Sequence, residues 1–305
     1  MDHNSGIAIN WPSYLQAIEQ RDMRMLSRSI SLVENEVDGN EQLLQALPAK
    51  DTTPVIGITG PPGAGKSTLT DALIGGWISR GKRVAVLCVD PSSPFSRGAL
   101  LGDRIRMSEW YTHPDVFIRS LASRGSLGGL HPRILEITDL LKTAGFDYIV
   151  IETVGVGQSE VEIAGLADTT LVVLVPESGD EIQTMKSGLM EIADLFVVNK
   201  SDRPGADLFV KNLRLMLAPA SHQPVPVIKT IADQKQGVEE LLVKIGESLR
   251  QQQAPEKKYR LLADRAYYLI CQKRMKDIDR QEIHKRIMEE MEAGGFNLYK
   301  FIEAY

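Results

Sequence analysis

The residues of this chain best suited to chemistry form a glycine-rich loop near residue 60. The loop reads Gly60-Pro61-Pro62-Gly63-Ala64-Gly65-Lys66-Ser67, with Thr68 next, and fits the pattern G-x-x-x-x-G-K-S. Its glycines let consecutive backbone N–H groups point at phosphate oxygens, and the start of a following helix adds positive charge there. Lysine in this pattern faces the β and γ phosphates, and the serine hydroxyl is a ligand for Mg²⁺. The loop therefore predicts binding of a nucleoside triphosphate, with Lys66 also acting in catalysis.

A second motif indicates which base is bound. The segment Asn199-Lys200-Ser201-Asp202 fits the pattern N-K-x-D. A carboxylate at Asp202 can accept hydrogen bonds from guanine N1–H and from its exocyclic amine, whereas adenine offers an acceptor at N1 and no amine at C2. The motif therefore predicts that GTP and GDP are the ligands. A backbone N–H for guanine O6 is expected from Thr230-Ile231-Ala232, although an ordinary turn would look the same.

Four residues are candidates for the magnesium site. Mg²⁺ prefers hard oxygen ligands and keeps several of its waters. Ser67 is the expected direct ligand, and the carboxylates of Asp90, Asp103 and Glu152 are expected to complete or order the shell. Each carboxylate has a structural alternative, because Asp90 opens a turn-like segment, Asp103 could cap a helix and Glu152 could pair with an arginine.

The residues after Glu152 predict a loop near the phosphates. Gly155, Gly157 and Gln158 follow Glu152 closely and have a loop composition. Both Glu152 and Gln158 carry side chains that can orient an attacking water, so the sequence leaves the water-activating residue open between them.

Bulk composition excludes several classes of protein. The chain has 305 residues and a formal net charge of −5, which argues against a protein that binds nucleic acid through a basic face. Two cysteines cannot form a disulfide framework, and reduced thiols are the default in the cytosol. We find no signal-peptide pattern and no apolar run of membrane-spanning length. The composition predicts a cytoplasmic protein with neither a nucleic-acid nor a membrane partner.

The order of apolar segments predicts an α/β fold. Short, nearly continuous β-branched runs alternate with helical patterns, which is typical of a mostly parallel sheet with helices on both faces. The predicted strands are Val55–Thr59, Val84–Val89, Val116–Ser120, Tyr148–Ile151, Thr170–Val175, Leu195–Val198 and Val225–Lys229. In such sheets ligands bind beyond the carboxyl ends of the strands, where the candidate residues fall.

Helical patterns flank this core on both sides. Residues 1–50 are expected to form an N-terminal helical extension, in which Ser13 and Gln16 have the spacing of a capping box. Residues 51–250 form the predicted nucleotide-binding core. Residues 256–305 carry an amphipathic pattern beyond a linker, and its apolar stripe must be buried somewhere. We expect this segment to form a dimer contact, with packing onto the chain's own core as the alternative.

Taken together, the motifs resemble the MeaB-type branch of the SIMIBI-class P-loop GTPases, also known as ArgK or LAO/AO transport kinases, which are accessory chaperones of methylmalonyl-CoA mutase. Besides the two nucleotide motifs, the resemblance rests on Asp90-Pro-Ser-Ser-Pro94, Gly102–Met107, Glu152–Glu160, Gly179–Gln183 with Lys186, and Glu191–Asp194. The segment Pro176–Gly179 departs from the more usual Pro-Gly-x-Gly, and the C-terminal arm is short.

The resemblance implies a function and a partner. It implies a homodimer joined by C-terminal helices, GTP hydrolysis with Mg²⁺, and an adenosylcobalamin-dependent acyl-CoA mutase whose cofactor loading is gated by the nucleotide. Gly155, Gly157 and Gln158 would form a nucleotide-sensing loop. A second switch, with Asp180, Glu181 and Lys186, would contact the mutase. The partner stays open among methylmalonyl-, ethylmalonyl-, isobutyryl- and 2-hydroxyisobutyryl-CoA mutases.

Two other functions share parts of this pattern. A phosphate loop alone does not separate a kinase from a GTPase, although the guanine motif opposes a kinase because most kinases use ATP. A metal-inserting GTPase would have a similar core but needs a Cys/His cluster. The two cysteines and five histidines of this chain lack ligand spacing.

Overall fold

The computed structural model describes residues 9–48, 53–90, 107–122, 130–153, 159–177, 189–217, 225–251, 256–275 and 277–305. The chain forms two compact units, Met1–Gln253 and Ala254–Tyr305. No helix in these described ranges is both long and apolar enough to cross a membrane.

The first unit is an α/β layer structure. Its strands are β1 Val55–Thr59, β2 Val84–Asp90, β3 Val116–Ala122, β4 Tyr148–Thr153, β5 Thr169–Leu174, β6 Leu195–Val198 and β7 Val227–Lys229. Its helices are α1 Trp11–Glu19, α2 Met23–Glu34, α3 Asn40–Ala46, α4 Lys66–Ile78, α5 Ile134–Thr143, α6 Ser159–Leu166, α7 Leu189–Ile192, α8 Ala206–Leu217 and α9 Val238–Gln251. All seven predicted strands are confirmed; β1 and β6 have the predicted bounds, and the ends of the others differ by one or two residues.

The strands form one parallel sheet in the order β3-β2-β4-β1-β5-β6-β7. β1 lies at its centre between β4 and β5. The chain leaves β1 for β2 on one side, while β5 to β7 occupy the other side. The connections from neighbouring strands thus run to opposite sides of the sheet, and such a change of direction opens a crevice at the carboxyl ends of the strands. At β1 this is the end that leads into the glycine-rich loop.

Apolar residues cover both faces of the sheet, because parallel strands must be shielded from water on each side. On one face Ile56 and Ile58 pack with Leu69 and Leu73 of α4 and with Leu241 of α9. Fully burying a leucine or isoleucine contributes about 1.5–3 kcal/mol. This packing fixes α4, and with it Lys66 and Ser67, against the central strand.

The N-terminal helices share the core on the opposite face. Ile18 of α1 and Ile30 of α2 are fully buried in one apolar cluster with Ile137 of α5 and Ile151 of β4. An ion pair of 2.7 Å between Arg119 of β3 and Glu34 of α2 adds a polar contact. Helices α1 to α3 therefore share the apolar layer on the face of the sheet formed by β2, β3 and β4.

The capping box expected at Ser13 and Gln16 is wrong. Helix α1 begins at Trp11, and the side chain of Asn10 caps it by accepting a hydrogen bond from the Ser13 backbone N–H. Pro12 lies in the first turn, where its missing N–H costs nothing. The helix therefore starts three residues earlier than it would with Ser13 as its cap.

The described residues of the second unit form the helices α10 Glu256–Arg274, α11 Arg280–Glu292 and α12 Leu298–Ile302. Asp279 caps α11 by accepting from the Gln281 N–H. Phe301 is buried, and the guanidinium of Arg286 lies over its ring. Large apolar side chains are nevertheless exposed along this unit, namely Tyr259, Leu262, Tyr267, Tyr268, Leu269, Ile270, Met275, Met288, Met291, Leu298, Tyr299, Ile302 and Tyr305.

Candidate nucleotide site

Backbone geometry requires glycine at two positions of the loop between β1 and α4. Gly60 has φ of 139°, and a Cβ there would lie 2.1 Å from the carbonyl oxygen of Val173 in β5. Gly65 has φ of 84°, and a Cβ there would lie 2.4 Å from Asn199 Nδ2. A side chain at either position would push apart the elements that form the site. The loop is thus packed tightly against β5 and against the guanine motif.

Lys66 and Ser67 occupy the first turn of α4, which begins at Lys66. The Lys66 Nζ donates to the carbonyl oxygens of Gly60 and Pro61 at 2.8 and 3.0 Å, and the residue is 7% exposed. The ammonium therefore lies folded across the loop that the sequence assigns to phosphate. A buried cation in this position creates a favourable place for an anion.

Glu152 lies behind this helix turn. It is a residue of β4, one position before the strand ends, whereas the sequence placed it beyond the strand. Its carboxylate accepts hydrogen bonds from Ser67 Oγ at 2.7 Å on Oε1 and from Thr70 Oγ1 at 2.8 Å on Oε2. Pairing of β4 with β1 brings the two elements together, because Ile58 and Glu152 are register partners.

Thr70 and a pair of threonines are site residues that the sequence analysis missed. Thr70 lies three residues after Ser67 on one face of α4, and this helical spacing is the signal that could have revealed it. Thr153 Oγ1 donates to Thr59 Oγ1 at 2.9 Å, which joins the last residue of β4 to the last residue of β1. This second contact joins strand ends 94 residues apart, and no local pattern predicts it.

Asn199 joins the guanine motif to the phosphate loop. Its Nδ2 donates to the Ala64 carbonyl at 3.0 Å, and its Oδ1 accepts from Thr230 Oγ1 and from the Ala232 N–H, each at 3.1 Å. Lys200 adds a hydrogen bond of 2.8 Å from Nζ to the Gly63 carbonyl. The asparagine is 2% exposed. The two motifs therefore lie in direct contact.

Asp202 and the segment 230–232 lie at the same edge. Asp202 is exposed in the turn after β6, where its carboxylate is accessible to a base. The backbone N–H of Thr230 donates to Val198, that of Ile231 to Gln236, and that of Ala232 to Asn199 Oδ1. For the Ala232 N–H to bind guanine O6 as predicted, it must share or exchange this bond.

An ion pair connects the end of β5 to the guanine motif. Arg203 donates to Glu177 Oε1 at 2.6 Å, and this hydrogen bond lowers the pKa of the Glu177 carboxyl below its usual value. Both side chains are about half exposed, so the pair adds little stability. The ion pair nevertheless links two regions of the site. Glu177 stands where the more usual Pro-Gly-x-Gly has glycine, and Arg203 directly follows Asp202 of the guanine motif.

Several predicted residues cannot be placed in this geometry. Asp90 ends β2, with its backbone paired to Ala122, and its side chain lies outside the description. The remaining predicted residues outside the described ranges are Asp103, Gly155, Gly157, Gln158, Asp180, Glu181 and Lys186.

The donor set of the described residues suits magnesium better than a transition metal. No group of three or more His, Cys, Asp or Glu in the described part of the chain could hold a metal ion. Cys88 is buried in β2, and Cys271 lies on α10 of the other unit. Ser67 Oγ donates a hydrogen bond to Glu152, and a hydroxyl oxygen is a hard ligand of the kind that Mg²⁺ takes together with phosphate oxygens and water.

Comparison with known proteins is consistent with this geometry. The family model described as methylmalonyl Co-A mutase-associated GTPase MeaB matches residues 26–291. A putative GTPase of Pyrococcus abyssi is 47% identical over 240 residues, which cover 76% of this chain and 74% of that protein. GTPase ArgK of Escherichia coli is 42% identical over 193 residues, covering 62% and 58%.

A further relative matches over a shorter segment. The mitochondrial methylmalonic aciduria type A homolog of Caenorhabditis elegans is 46% identical over 149 residues, which cover 48% of this chain and 37% of that protein. Among solved structures, an LAO/AO transport system kinase has a TM-score of 0.68 at 24% identity and covers 96% of this chain and 95% of its own. Nickel-bound HypB from Helicobacter pylori has a TM-score of 0.51 at 18% identity, covering 72% and 95%. At these identities the two structures establish the P-loop fold alone.

Proposed function

Because this chain belongs to the methylmalonyl-CoA mutase-associated GTPase family MeaB, we propose that it is a GTP-driven chaperone of an adenosylcobalamin-dependent acyl-CoA mutase. The chain itself is a GTPase that binds guanine nucleotides. In the proposed role, hydrolysis gates adenosylcobalamin loading and the protection or reactivation of the mutase. Methylmalonyl-CoA mutase is the first candidate partner, and the ethylmalonyl-, isobutyryl- and 2-hydroxyisobutyryl-CoA enzymes are the alternatives.

The observation that carries this proposal is the family match, which extends well beyond the nucleotide motifs. It begins within α2 and ends within α11, so it includes helices that share no residue with the phosphate loop or the guanine motif. A match restricted to the two motifs would support only nucleotide binding.

We assign separate roles to the residues around the phosphate loop. Lys66 binds the phosphates, and Ser67 holds Mg²⁺, which when bound offsets the negative charge of the phosphates. Both oxygens of Glu152 accept hydroxyl protons from α4, so we assign to Glu152 the support of Ser67. Gln158 is then the candidate that orients the attacking water. Asp90 and Asp103 are proposed to order the metal shell.

The exposed apolar side chains of the second unit support a homodimer. Leu262 and Leu269 lie seven residues apart on one face of α10, and both are exposed. An apolar surface of this kind marks a contact site in soluble proteins. We propose that a second copy of the chain covers it.

The dimer contact is tested in the full-length chain by charged substitutions. The double variant Leu262→Glu/Leu269→Glu is expected to be monomeric in light scattering, because two carboxylates would be buried without partners. Leu208→Glu/Leu215→Glu is the matched control, since these exposed leucines have the same spacing on α8. The control is expected to stay dimeric. A dimeric Leu262→Glu/Leu269→Glu variant would refute the proposed contact.

The mutase partnership is tested by the steady-state GTPase rate. We expect slow intrinsic hydrolysis that accelerates on addition of the cognate mutase, because the partner stabilises one arrangement of the switch segments. Lys186→Ala is expected to lose the stimulation and keep the intrinsic rate. Lys211→Ala, which removes an exposed lysine of α8, is the charge-matched control. Stimulation of Lys186→Ala equal to that of the wild type would reject the switch. A wild type that none of the four mutases stimulates would reject the partnership.

A further inference from the structure

We propose that Thr70 is a positioning residue for magnesium-dependent GTP hydrolysis, and that it acts through the carboxylate of Glu152. Thr70 lies outside the phosphate-loop pattern, on the second turn of α4, and is fully buried. Its hydroxyl lies 2.8 Å from Glu152 Oε2. The inference rests on the proposed role of Glu152 as the support of Ser67.

The geometry fixes the carboxylate at both of its oxygens. Ser67 Oγ binds Oε1 and Thr70 Oγ1 binds Oε2, with both donors on one helix face. Rotation about the last side-chain torsion of a glutamate is soft, so a carboxylate held at one oxygen alone can turn. With both oxygens held, the carboxylate plane is set relative to α4. The Ser67 proton then has a fixed acceptor, and the Ser67 lone pairs keep a fixed direction.

The proton of Thr70 has two possible acceptors. The Lys66 carbonyl lies 3.0 Å from Thr70 Oγ1, which is the usual back-bond of a helical threonine. A hydroxyl carries one proton, and a charged carboxylate is a stronger acceptor than a peptide carbonyl. Glu152 is also the nearer of the two. The Thr70 proton is therefore directed at Glu152.

Another buried threonine shows what a purely structural role looks like. Thr138 lies within α5, is 1% exposed, and donates to the Ile134 carbonyl at 2.6 Å. This is the same helical back-bond, four residues apart, and no hydrogen bond from the Thr138 hydroxyl to a carboxylate is present in the described structure. Thr138→Val thus removes the same atoms as Thr70→Val without touching the nucleotide site.

The experiment measures how the GDP affinity and the GTPase rate of the full chain depend on Mg²⁺ concentration. Thr70→Val keeps the side-chain shape and removes the donor. We expect a rise of about 10-fold or more in the Mg²⁺ concentration that gives half of the full effect of Mg²⁺ on GDP affinity. This is the size of effect that follows from losing a hydrogen bond to a charged group. We also expect kcat to fall by a similar factor, while affinity without Mg²⁺ and the KM for GTP change less than about twofold. Thr70→Ser, which restores the hydroxyl, should recover both quantities.

Controls separate this proposal from its premise. Thr138→Val is expected to retain the wild-type Mg²⁺ dependence, whatever its melting temperature. Glu152→Gln tests the premise, and a wild-type Mg²⁺ dependence there would refute the role of Glu152 itself. If Glu152→Gln shifts the Mg²⁺ dependence and Thr70→Val does not, the Thr70 inference alone fails. A loss in Thr70→Val that Thr70→Ser does not rescue, or that lowers Mg²⁺-free affinity equally, would show a packing role and overturn the inference. Thr70→Ala repeats the comparison should valine disturb folding.

Discussion

Lys66→Ala is expected to lower the affinity for GTP by about 100-fold or more. The Lys66 ammonium is buried and held across the loop by the Gly60 and Pro61 carbonyls, so it is positioned before any phosphate arrives. Its loss removes the only cation of the loop sequence Gly60–Ser67. A charged hydrogen bond contributes about 1.5–3 kcal/mol, and the lysine of this pattern serves two phosphates. Isothermal titration calorimetry with a non-hydrolysable GTP analogue measures the change.

A matched control for this variant is Lys82→Ala. Lys82 carries the same charge, and its side chain is bound at the surface to Asp147. The affinity of Lys82→Ala is expected to stay within about twofold of the wild type, because surface ion pairs contribute little. A thermal melt of both variants without nucleotide separates a binding defect from unfolding. Wild-type affinity in folded Lys66→Ala would mean that the loop is not the phosphate site.

Asp202→Asn is expected to turn the base preference from guanine to xanthine. An amide oxygen can still accept from N1–H, while its NH₂ group donates to the carbonyl that xanthine carries in place of the exocyclic amine. For guanine, one hydrogen bond of about 1.5–3 kcal/mol is lost and the other is weakened by about 1 kcal/mol, which predicts a loss of GTP affinity between about 50-fold and 1,000-fold. The side chain is exposed in a surface turn, so the fold should tolerate the isosteric change. Competition between GTP and XTP gives the preference directly.

Asp207→Asn serves as the control for the base switch. Asp207 is another exposed aspartate, five residues along the chain, and its carboxylate pairs with Lys229 at 2.8 Å. This neighbouring ammonium lowers the pKa of Asp207 through its hydrogen bond and charge. The substitution removes the same charge near the same edge and is expected to keep the GTP preference. If Asp202→Asn also prefers GTP, Asp202 does not contact the base.

The local sequence was sufficient to predict the strands of the sheet. β1 and β6 have the bounds that their apolar runs predict, because a strand buried on both faces cannot include polar residues without partners. The start of β7 is not given correctly by the apolar run alone. The run begins at Val225, but the strand begins at Val227, since Pro226 has no N–H for the ladder. Strand order was not predictable locally, because it depends on where the helices pack.

Residue pairs distant in sequence were not predictable in the same way. Ser67 and Glu152 were both candidates for the metal site, but only the pairing of β1 with β4 shows that they share a hydrogen bond. Thr70 had no motif of its own and gains its importance from Glu152 alone. Arg203 and Glu177 likewise meet because β5 and β6 are neighbours. Such contacts depend on the distance between the side chains in the folded chain, and a pattern of residue types does not specify that distance for residues far apart in sequence.

Residue types at fixed short spacings are enough to identify the phosphate loop, the guanine motif and the family, because the ligand imposes those spacings. How the motifs act together becomes visible only in the folded chain. Asn199 holds the phosphate loop and the segment 230–232 at once, and Glu152 is held by two hydroxyls of α4. These contacts span 31 to 135 residues of chain, so only the closing of the sheet around β1 brings their partners within hydrogen-bond distance.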